Sequence, residues 1–297
     1  MGAGTALVVG ASGQVGRHVS AALAARGWRV TGTGNTRAGA GLLPLDLRDE
    51  AAIRQVIGRV KPDLCVLAAA LTNVERCEVE PELAEQLNAR APAVVAAACR
   101  AVGGRTIGLS TEYVFDGAAG PYGEDDPVCP VSVYGRSKLG GERAVLSADP
   151  AALVVRTTVV FSYCPGDKNF IMQLIDQLGA GQVMRVPSDQ FSSPTPAPFL
   201  GDVLAGLATT ATGLLHVAGD EVMDRAAFAA RAARALGLDP GLVVPVQTRE
   251  LGQRARRPLR AGLRVERLRS LGIRPPSLDA ALAEVAAQWS RDRRDGG

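Results

Sequence analysis

Short apolar runs alternate with longer amphipathic stretches through the first half of the chain. Residues 6–9 are a continuous apolar run, residues 17–26 form an amphipathic stretch that ends at Gly27, and residues 28–32 resemble a second strand. Apolar runs of this length are typical of strands buried on both faces, and a glycine after an amphipathic stretch is a common helix end. The order strand, helix, strand predicts the first unit of a parallel sheet.

The same alternation continues to about residue 161. Further strands are predicted at 42–47, 63–70, 105–110 and 153–161, with helices at 50–60, 82–102 and 132–146. This order predicts an α/β fold with a doubly wound, Rossmann-type parallel sheet, whose ligand lies at the C-terminal ends of the strands. We predict a Rossmann domain over residues 1–161 plus about 199–212. A smaller C-terminal α/β lobe, over residues 162–198 and 213–297, is predicted to bind the substrate.

Composition and charge narrow the class of protein. The chain is 47% hydrophobic and 21% charged with a net charge of +3, which is typical of a soluble globular protein. The arginine-rich segment 254–274 is the only candidate for a nucleic-acid surface and is read as a solvated or phosphate-facing surface, so we predict no nucleic-acid partner. Five scattered cysteines predict neither zinc nor disulfides. Without a signal peptide or an apolar run of about 18 residues, we expect no membrane partner and a cytoplasmic location.

A glycine-rich turn directly follows the first predicted strand. A tight turn alone would explain it, but a turn between a strand and a helix also lets the backbone approach a pyrophosphate at the helix N-terminus. We therefore predict dinucleotide binding by Gly10, Ser12, Gly13, Gln14, Val15 and Gly16.

The end of the second strand indicates which dinucleotide is bound. An acidic residue there would bind the ribose 2′-hydroxyl of NAD, but the chain has Asn35, Thr36 and Arg37. Arg37 can pair with a 2′-phosphate, unless it is an ordinary loop residue, so we predict NADPH as cofactor. The residues predicted to contact the rest of this cofactor are Asp46 at the adenine amino group, Leu47 beside it, and the small residues Ala68, Ala69 and Ala70.

A tyrosine and a lysine lie four residues apart in the predicted helix at 132–146. This spacing places Tyr134 and Lys138 on one helix face, and an ammonium group beside a phenol is expected to lower the phenol pKa. Such a tyrosine can give a proton to a carbonyl oxygen. An exposed helix face is the alternative explanation.

Several blocks together resemble the dTDP-4-dehydrorhamnose reductase family of extended short-chain dehydrogenases/reductases. They are the glycine turn, residues 110–117 (STEYVFDG), residues 121–124 (PYGE), residues 133–139 (VYGRSKL), Gly141-Glu142, Asp189-Gln190, Pro194-Thr195, and the C-terminal Arg257-Pro258, Leu263 and residues 271–273. The resemblance covers nearly the whole chain.

The resemblance implies an enzyme that reduces the C4 ketone of a nucleotide-linked, probably dTDP-linked, 4-keto-6-deoxyhexose with NADPH. Tyr134 would be the general acid, Lys138 would lower its pKa and bind the nicotinamide ribose, and Thr111 would orient the carbonyl oxygen. The implied substrate contacts are Thr72, Glu112, Val159, Asn169 and Gln190. A homodimer is compatible with the resemblance.

The chain departs from the family pattern at two positions near the site. Glu112 replaces an aspartate, and Val159 replaces an aromatic residue that would lie against the sugar, which leaves the identity of the sugar open. The acidic run Glu124, Asp125 and Asp126 is read as a solvated loop, and no metal site is predicted, although some family members carry magnesium at a dimer interface.

Two other functions remain open. One is a non-catalytic NADP-binding regulatory subunit, because the beta subunit of methionine adenosyltransferase resembles the same family. The other is a nucleotide-sugar epimerase or dehydratase, which Glu112 beside Thr111 would favour. An intact Thr111, Tyr134 and Lys138 argues against the former, and the absence of an acid after the second strand argues against the latter.

Overall fold

A parallel sheet forms the centre of the molecule. The computed structural model describes residues 4–35 and 41–295. Its strands are β1 Thr5–Val9, β2 Arg29–Gly34, β3 Leu43–Pro44, β4 Leu64–Leu67, β5 Arg105–Thr111, β6 Leu153–Thr157, β7 Val160–Phe161, β8 Met184–Pro187, β9 Phe191–Ser192, β10 Thr195–Pro196, β11 Gly213–His216, β12 Met223–Asp224 and β13 Val243–Val246. Its α-helices are α1 Gln14–Ala25, α2 Glu50–Val60, α3 Val74–Val79, α4 Pro81–Glu85, α5 Ala91–Ala101, α6 Val133–Ala148, α7 Phe170–Gly179, α8 Ala197–Gly206, α9 Arg225–Ala235, α10 Glu266–Ser270 and α11 Leu278–Asp295.

Seven of these strands pair in the order β11-β6-β5-β4-β1-β2-β3, and each pairing is parallel. The chain reverses its direction of winding between β1 and β4, which is where ligands bind in sheets of this kind. The predicted doubly wound Rossmann-type sheet is confirmed.

The inner strands of the sheet are buried on both faces because their residues are apolar. Ala6, Val8 and Leu64 pack on one face against helices that include α1 and α8, whereas Leu7 and Cys65 pack on the other face against α2 and α5. Both faces of β1 and β4 are therefore buried, as their continuous apolar runs predict.

The C-terminal lobe has a hydrophobic core of its own. Helices α7, α9 and α11 pack on the β8-β13 pair around residues such as Phe161, Ile171 and Phe228. Strand β11 corrects the predicted boundary at residue 213, because it pairs with β6 along Gly213–His216 and extends the central sheet. The division into a cofactor domain and a substrate lobe remains a prediction.

The apolar run 153–161 was predicted as one strand, and the structure divides it into β6 and β7. The break lies at Val159, whose φ of 39° is in the left-handed region. That region is disfavoured for a β-branched side chain. A hydrophobic pattern does not reveal such a residue, which is why the prediction missed the break.

The arginine-rich segment 254–274 returns to the first half of the chain. Arg264 pairs with Asp126 at 3.0 Å and Arg267 pairs with Asp125 at 2.7 Å, while Glu124 accepts a hydrogen bond from the His216 amide. These ion pairs lie at the protein surface, where Arg264, Arg267 and Asp125 are exposed, so both segments are solvated as predicted and each also supplies partners for the other. None of the helices in the described ranges combines the length and apolar character needed to cross a membrane.

Candidate active site

A large cavity opens at the C-terminal edge of the central sheet. It has a volume of about 1070 Å³ and is lined by the ends of the strands around the reversal point. The predicted site residues on its wall are Gly10, Ser12, Gly13, Gln14, Val15, Asn35, Asp46, Leu47, Ala68, Ala69, Ala70, Thr72, Thr111, Glu112, Tyr134, Lys138, Val159 and Asn169. One cavity therefore joins the residues predicted for cofactor, catalysis and substrate.

The glycine turn is shaped by contacts that leave no room for side chains. A Cβ atom on Gly16 would lie 2.1 Å from the carbonyl oxygen of Gly10, and Gly10 itself has a φ of 87°. Gly16 lies behind the cavity wall and allows α1 to approach the turn closely. Gly13 is the N-cap of α1 and has no capping side chain, so the first N–H groups of the helix are available to an anion.

The structure describes one of the three residues after β2 that are predicted to contact a 2′-phosphate. Asn35 lines the cavity, whereas Thr36 and Arg37 lie outside the described residues. Asp46, predicted to meet the adenine amino group, accepts hydrogen bonds from Arg48 Nε at 3.0 Å and 2.9 Å. Arg48 also lines the cavity, together with Arg76, and sequence reasoning missed both arginines.

Thr111, Tyr134 and Lys138 are brought together by β5 and α6. Thr111 is the last residue of β5, and Tyr134 and Lys138 lie on the first turns of α6. A Cβ atom on Gly135 would lie 2.1 Å from the Tyr113 carbonyl oxygen, so this glycine lets α6 pack directly against the segment after Thr111. The Ser132 side chain caps the helix by accepting from the Gly135 amide at 3.1 Å.

Burial sets the ionisation of the tyrosine and the lysine. Desolvation raises the pKa of Tyr134, with the Thr111 hydroxyl acting in the opposite direction, so the predicted lowering by Lys138 is wrong in sign. Burial lowers the pKa of Lys138 to about 8, opposed by Glu142. The Lys138 Nζ donates to the Leu109 carbonyl oxygen at 2.7 Å. At neutral pH the site therefore holds a neutral phenol beside an ammonium group.

Asn88 connects the cofactor side of the cavity to the catalytic helix. It lies in a π-helical turn, Gln86–Arg90, between α4 and α5. Its side chain bonds both the amide and the carbonyl of Leu71, at 2.8 and 3.0 Å, and also Ser137 Oγ at 3.1 Å. The loop that carries Ala68 to Thr72 is thereby fixed to α6. A lone asparagine in an alanine-rich helix gave no sequence signal for this role.

Glu112 and its neighbours form the polar part of the cavity wall. Glu112 is 4% exposed, and burial raises its pKa to about 8, although the Thr158 hydroxyl and Arg225 act to lower it. Arg225 begins α9, and its guanidinium lies 5.1 Å from the Phe170 ring centre. Sequence reasoning missed Thr157, Thr158 and Arg225. Thr157 ends the parallel strand β6 and Thr158 follows it, which is the edge of the sheet where ligands are expected, whereas Arg225 gave no signal.

Gln190 is the predicted substrate residue that does not line this cavity. Its side-chain Nε2 donates to Thr248 Oγ1 at 2.9 Å, and its backbone carbonyl oxygen accepts from the Arg225 backbone amide at 3.0 Å. The structure therefore places Gln190 behind the wall, where it supports the start of α9.

Comparisons with known proteins agree with this geometry. The family described as "RmlD substrate binding domain" matches residues 4–291. The dTDP-4-dehydrorhamnose reductase of Streptomyces griseus is 37% identical over 277 residues, which cover 91% of this chain and 88% of that protein. A Streptomyces antibioticus protein named "Probable dTDP-4,6-dihydroxy-2-methyloxan-3-one 4-ketoreductase" is 33% identical over 273 residues, covering 91% of this chain and 90% of that protein.

A solved structure gives the same answer at the level of the fold. The dTDP-4-dehydrorhamnose reductase of Bacillus anthracis, crystallised in complex with NADP, superposes with a TM-score of 0.88 at 27% identity. The superposition covers 96% of this chain and 99% of that one. The chain therefore belongs to the RmlD family, the family of the dTDP-4-dehydrorhamnose reductases that its sequence resembles.

Proposed function

We propose that this protein uses NADPH to reduce the C4 ketone of a nucleotide-linked, dTDP-type 4-keto-6-deoxyhexose. The observation that carries the proposal is that Thr111, Tyr134 and Lys138 line the same cavity as the glycine turn. The broader class, an NADP-dependent oxidoreductase, is confirmed by the reductases among its relatives and by the NADP complex of one of them.

The residues present fit a dinucleotide. The absence of side chains at Gly10 and Gly16 leaves a cradle at the start of α1, where free N–H groups and the positive end of the helix dipole suit a pyrophosphate. Asn35 would lie toward the adenosine ribose, and Ala68 to Ala70 would leave room for the flat nicotinamide ring. When bound, NADPH supplies the hydride that reduces the carbonyl carbon.

Thr111 and Tyr134 act on the carbonyl oxygen. Thr111 Oγ1 accepts a hydrogen bond from the Tyr113 amide at 3.2 Å, and its hydroxyl also hydrogen-bonds the Tyr134 phenol, so the two hydroxyls lie side by side and can both donate to the ketone oxygen. Tyr134 is protonated at neutral pH because burial raises its pKa, and it gives that proton to the same oxygen as the carbonyl becomes an alcohol. The negative charge that develops on the oxygen is thereby neutralised.

Lys138 supports this proton transfer. One of its three N–H groups is engaged by the Leu109 carbonyl, which fixes the ammonium at the cavity wall. The remaining N–H groups are available to the nicotinamide ribose and to the phenolate that Tyr134 becomes. A cytoplasmic location and a homodimer remain predictions from the sequence.

Replacing Tyr134 tests this proposal. Tyr134→Phe should lower turnover by about 10²- to 10⁴-fold, the usual contribution of a general acid, because the phenol proton is removed and the ring is kept. NADPH binding, measured by fluorescence titration, should be unchanged. Tyr163→Phe is the matched control, since it removes a phenol that does not line the cavity, and it should keep full turnover.

The substrate panel separates the proposal from its two alternatives. A reductase oxidises one NADPH for each dTDP-4-keto-6-deoxyhexose consumed. A regulatory subunit binds NADPH without oxidising it, and an epimerase or dehydratase converts its sugar with no net change in the cofactor. The panel includes the 2-deoxy ketosugar, because the Streptomyces antibioticus relative is named for a ketone of that type.

A further inference from the structure

Arg257 begins the C-terminal sequence block and lies behind the cavity wall. Its side chain is 11% exposed and does not line the cavity. Its guanidinium donates from Nη2 to Glu75 at 2.6 Å and from Nη1 to the Tyr113 hydroxyl at 3.3 Å. The central carbon of the same group lies 5.9 Å from the centre of the Tyr113 ring. Because a guanidinium is planar and holds its donors in a fixed fork, Arg257 fixes both of its partners.

Glu75 and the neighbouring backbone hold this arginine in place. Glu75 lies in the first turn of α3, and its Oε2 accepts from the backbone amides of Arg254 and of the next residue, at 2.9 and 3.3 Å. Further along the segment, the Arg260 amide donates to the Gly117 carbonyl oxygen at 2.8 Å. The segment that carries Arg257 is therefore bonded to the first half of the chain on both sides of the arginine.

Tyr113, the other partner of Arg257, contacts both groups that act on the ketone. Its backbone amide donates to Thr111 Oγ1 at 3.2 Å. Its ring meets the Tyr134 ring in a T-shaped arrangement, with the ring centres 5.4 Å apart and the planes at 74°. Aromatic pairs favour this orientation, so the position of the Tyr113 ring restricts that of the Tyr134 ring.

The proton transfer assigned to Tyr134 depends on this restriction. A general acid must lie within hydrogen-bond reach of the oxygen that it protonates, and a displacement of about 1 Å can lower a rate by about 10²-fold. Tyr113 lines the cavity, so the protein restrains its ring only on the side away from the cavity. Arg257 bonds the end of the ring from that side.

We propose that Arg257 is a positioning residue for the reduction, which acts through Tyr113 on Tyr134 and Thr111. The inference rests on the proposed reductase function and extends it to a residue outside the cavity. Neither Arg257 nor Tyr113 exchanges a proton with the ketone; they hold the general acid where its proton reaches the oxygen. The C-terminal block thereby gains a role in the reaction, because its arginine connects the end of the chain to the catalytic helix α6.

Single-turnover kinetics test the proposal. Enzyme with bound NADPH is mixed with excess dTDP-4-keto-6-deoxyhexose, and the loss of NADPH absorbance gives a rate constant and an amplitude. Arg257→Met removes the guanidinium and should lower the rate constant by about 10- to 100-fold, with amplitude and NADPH affinity unchanged. A purely structural arginine would change the amount of folded enzyme. A lower amplitude with an unchanged rate constant would therefore overturn the proposal.

Arg260 provides a matched control on the same segment. Its guanidinium lies 5.8 Å from the centre of the Phe191 ring, and neither residue lines the cavity. Arg260→Met also removes a cation from an aromatic ring and should leave the rate constant unchanged. Arg257→Lys keeps the charge beside Glu75 without the planar fork, so its rate constant should lie between those of the wild type and Arg257→Met. Equal losses in Arg257→Met and Arg260→Met would contradict a specific role for Arg257.

A double variant tests whether the arginine acts through Tyr113. Tyr113→Phe removes the hydroxyl that Arg257 bonds and keeps the ring, so it should lower the rate constant by no more than Arg257→Met does. Combining the two substitutions should be no slower than Arg257→Met alone, because both remove one contact. Losses that multiply would show that the two residues act independently, and the proposed route would be wrong.

The ring signals of the tyrosines separate this proposal from the proposed function. The chain has four tyrosines, so NMR of the full chain with labelled tyrosine resolves each ring, assigned by its Phe variant. Arg257→Met should shift the signals of Tyr113 and Tyr134 and leave that of Tyr163 in place. If the wild type oxidises NADPH with none of the ketosugars, the reductase function fails, but these signals still test the positioning. An unmoved Tyr134 signal would overturn it.

Discussion

Glu142 and Glu112 are both buried beside the end of β5, but only Glu142 has a full set of partners. Glu142 accepts from Arg156 Nε and Nη2 at 2.8 and 2.7 Å and also from the Ser110 hydroxyl. Glu112 has one oxygen without a partner among the described residues, and neither the Thr158 hydroxyl nor the charge of Arg225 prevents burial from raising its pKa to about 8. The two carboxyl groups are equally buried, but the protein supplies partners to all of Glu142 and to only part of Glu112.

The two glutamates differ in what surrounds them: Glu142 is paired within the protein, whereas Glu112 lies at the cavity wall. The charge of Glu142 is satisfied within the protein, and the Arg156 guanidinium also lies 5.0 Å from the Phe115 ring centre, so this cluster fixes the end of β5 from beneath. Glu112, on the side of the cavity, keeps one oxygen that no described residue satisfies. Because Ser110, Thr111 and Glu112 are consecutive, one short segment joins the rigid cluster to the cavity wall.

Breaking the satisfied cluster should have the largest effect on stability. Glu142→Ala leaves Arg156 buried without its partner, and we expect the free energy of unfolding to fall by about 3–5 kcal/mol. Glu112→Ala, the matched control at the cavity wall, should lower the free energy of unfolding much less, because no ion pair is lost. Urea denaturation of both variants checks this. Similar losses would mean that the two glutamates have the same structural role.

The next largest effect should be a pH dependence of stability caused by Glu112. Glu112 holds its proton up to about pH 8 in the folded chain, compared with an ordinary value of 4.5 when unfolded. Between these values the folded state binds more protons, so stability falls as pH rises, by at most about 1.4 kcal/mol per pH unit. Glu112→Gln removes this loss.

The expected signature is a difference between two curves. The stability of Glu112→Gln relative to the wild type should increase steadily from about pH 5 to pH 8 and stay constant below pH 4.5. Urea denaturation at several pH values measures it. A difference independent of pH would show that Glu112 has the same pKa in the folded and unfolded chain, and the raised pKa would be wrong.

The contrast also explains what the sequence predicted well. The glycine turn and the Tyr134–Lys138 pair are local patterns, and their spacing already contains the geometry of a turn or of one helix face. Family resemblance added Thr111 in the same way, through a short block at a strand end. Apart from Gly16, which lies behind the wall, each of these residues lines the cavity.

What the sequence missed depends on distant contacts or on an unusual backbone. Arg225 reaches the cavity from a helix that begins 113 positions after Glu112. The left-handed Val159 stands inside a run of apolar residues that reads as one strand. The sign of the Tyr134 pKa shift was also missed, because proximity to Lys138 is visible in a sequence whereas complete burial of the phenol is not.

The smallest expected effects are the most discriminating, because they have opposite signs. Thr157→Val replaces a buried hydroxyl that has no partner among the described residues by a methyl group of the same shape, so the unfolding free energy should rise by about 1 kcal/mol. Ser110→Ala removes a hydrogen bond to Glu142 and should lower it by about the same amount. Differential scanning calorimetry of both variants without substrate resolves the signs. A stabilised Thr157→Val that reduces the ketosugar more slowly would show that the hydroxyl is kept for the ligand at a cost to the fold. If both variants are destabilised, Thr157 has a partner within the protein, and the distinction between the two sides of Thr111 is lost.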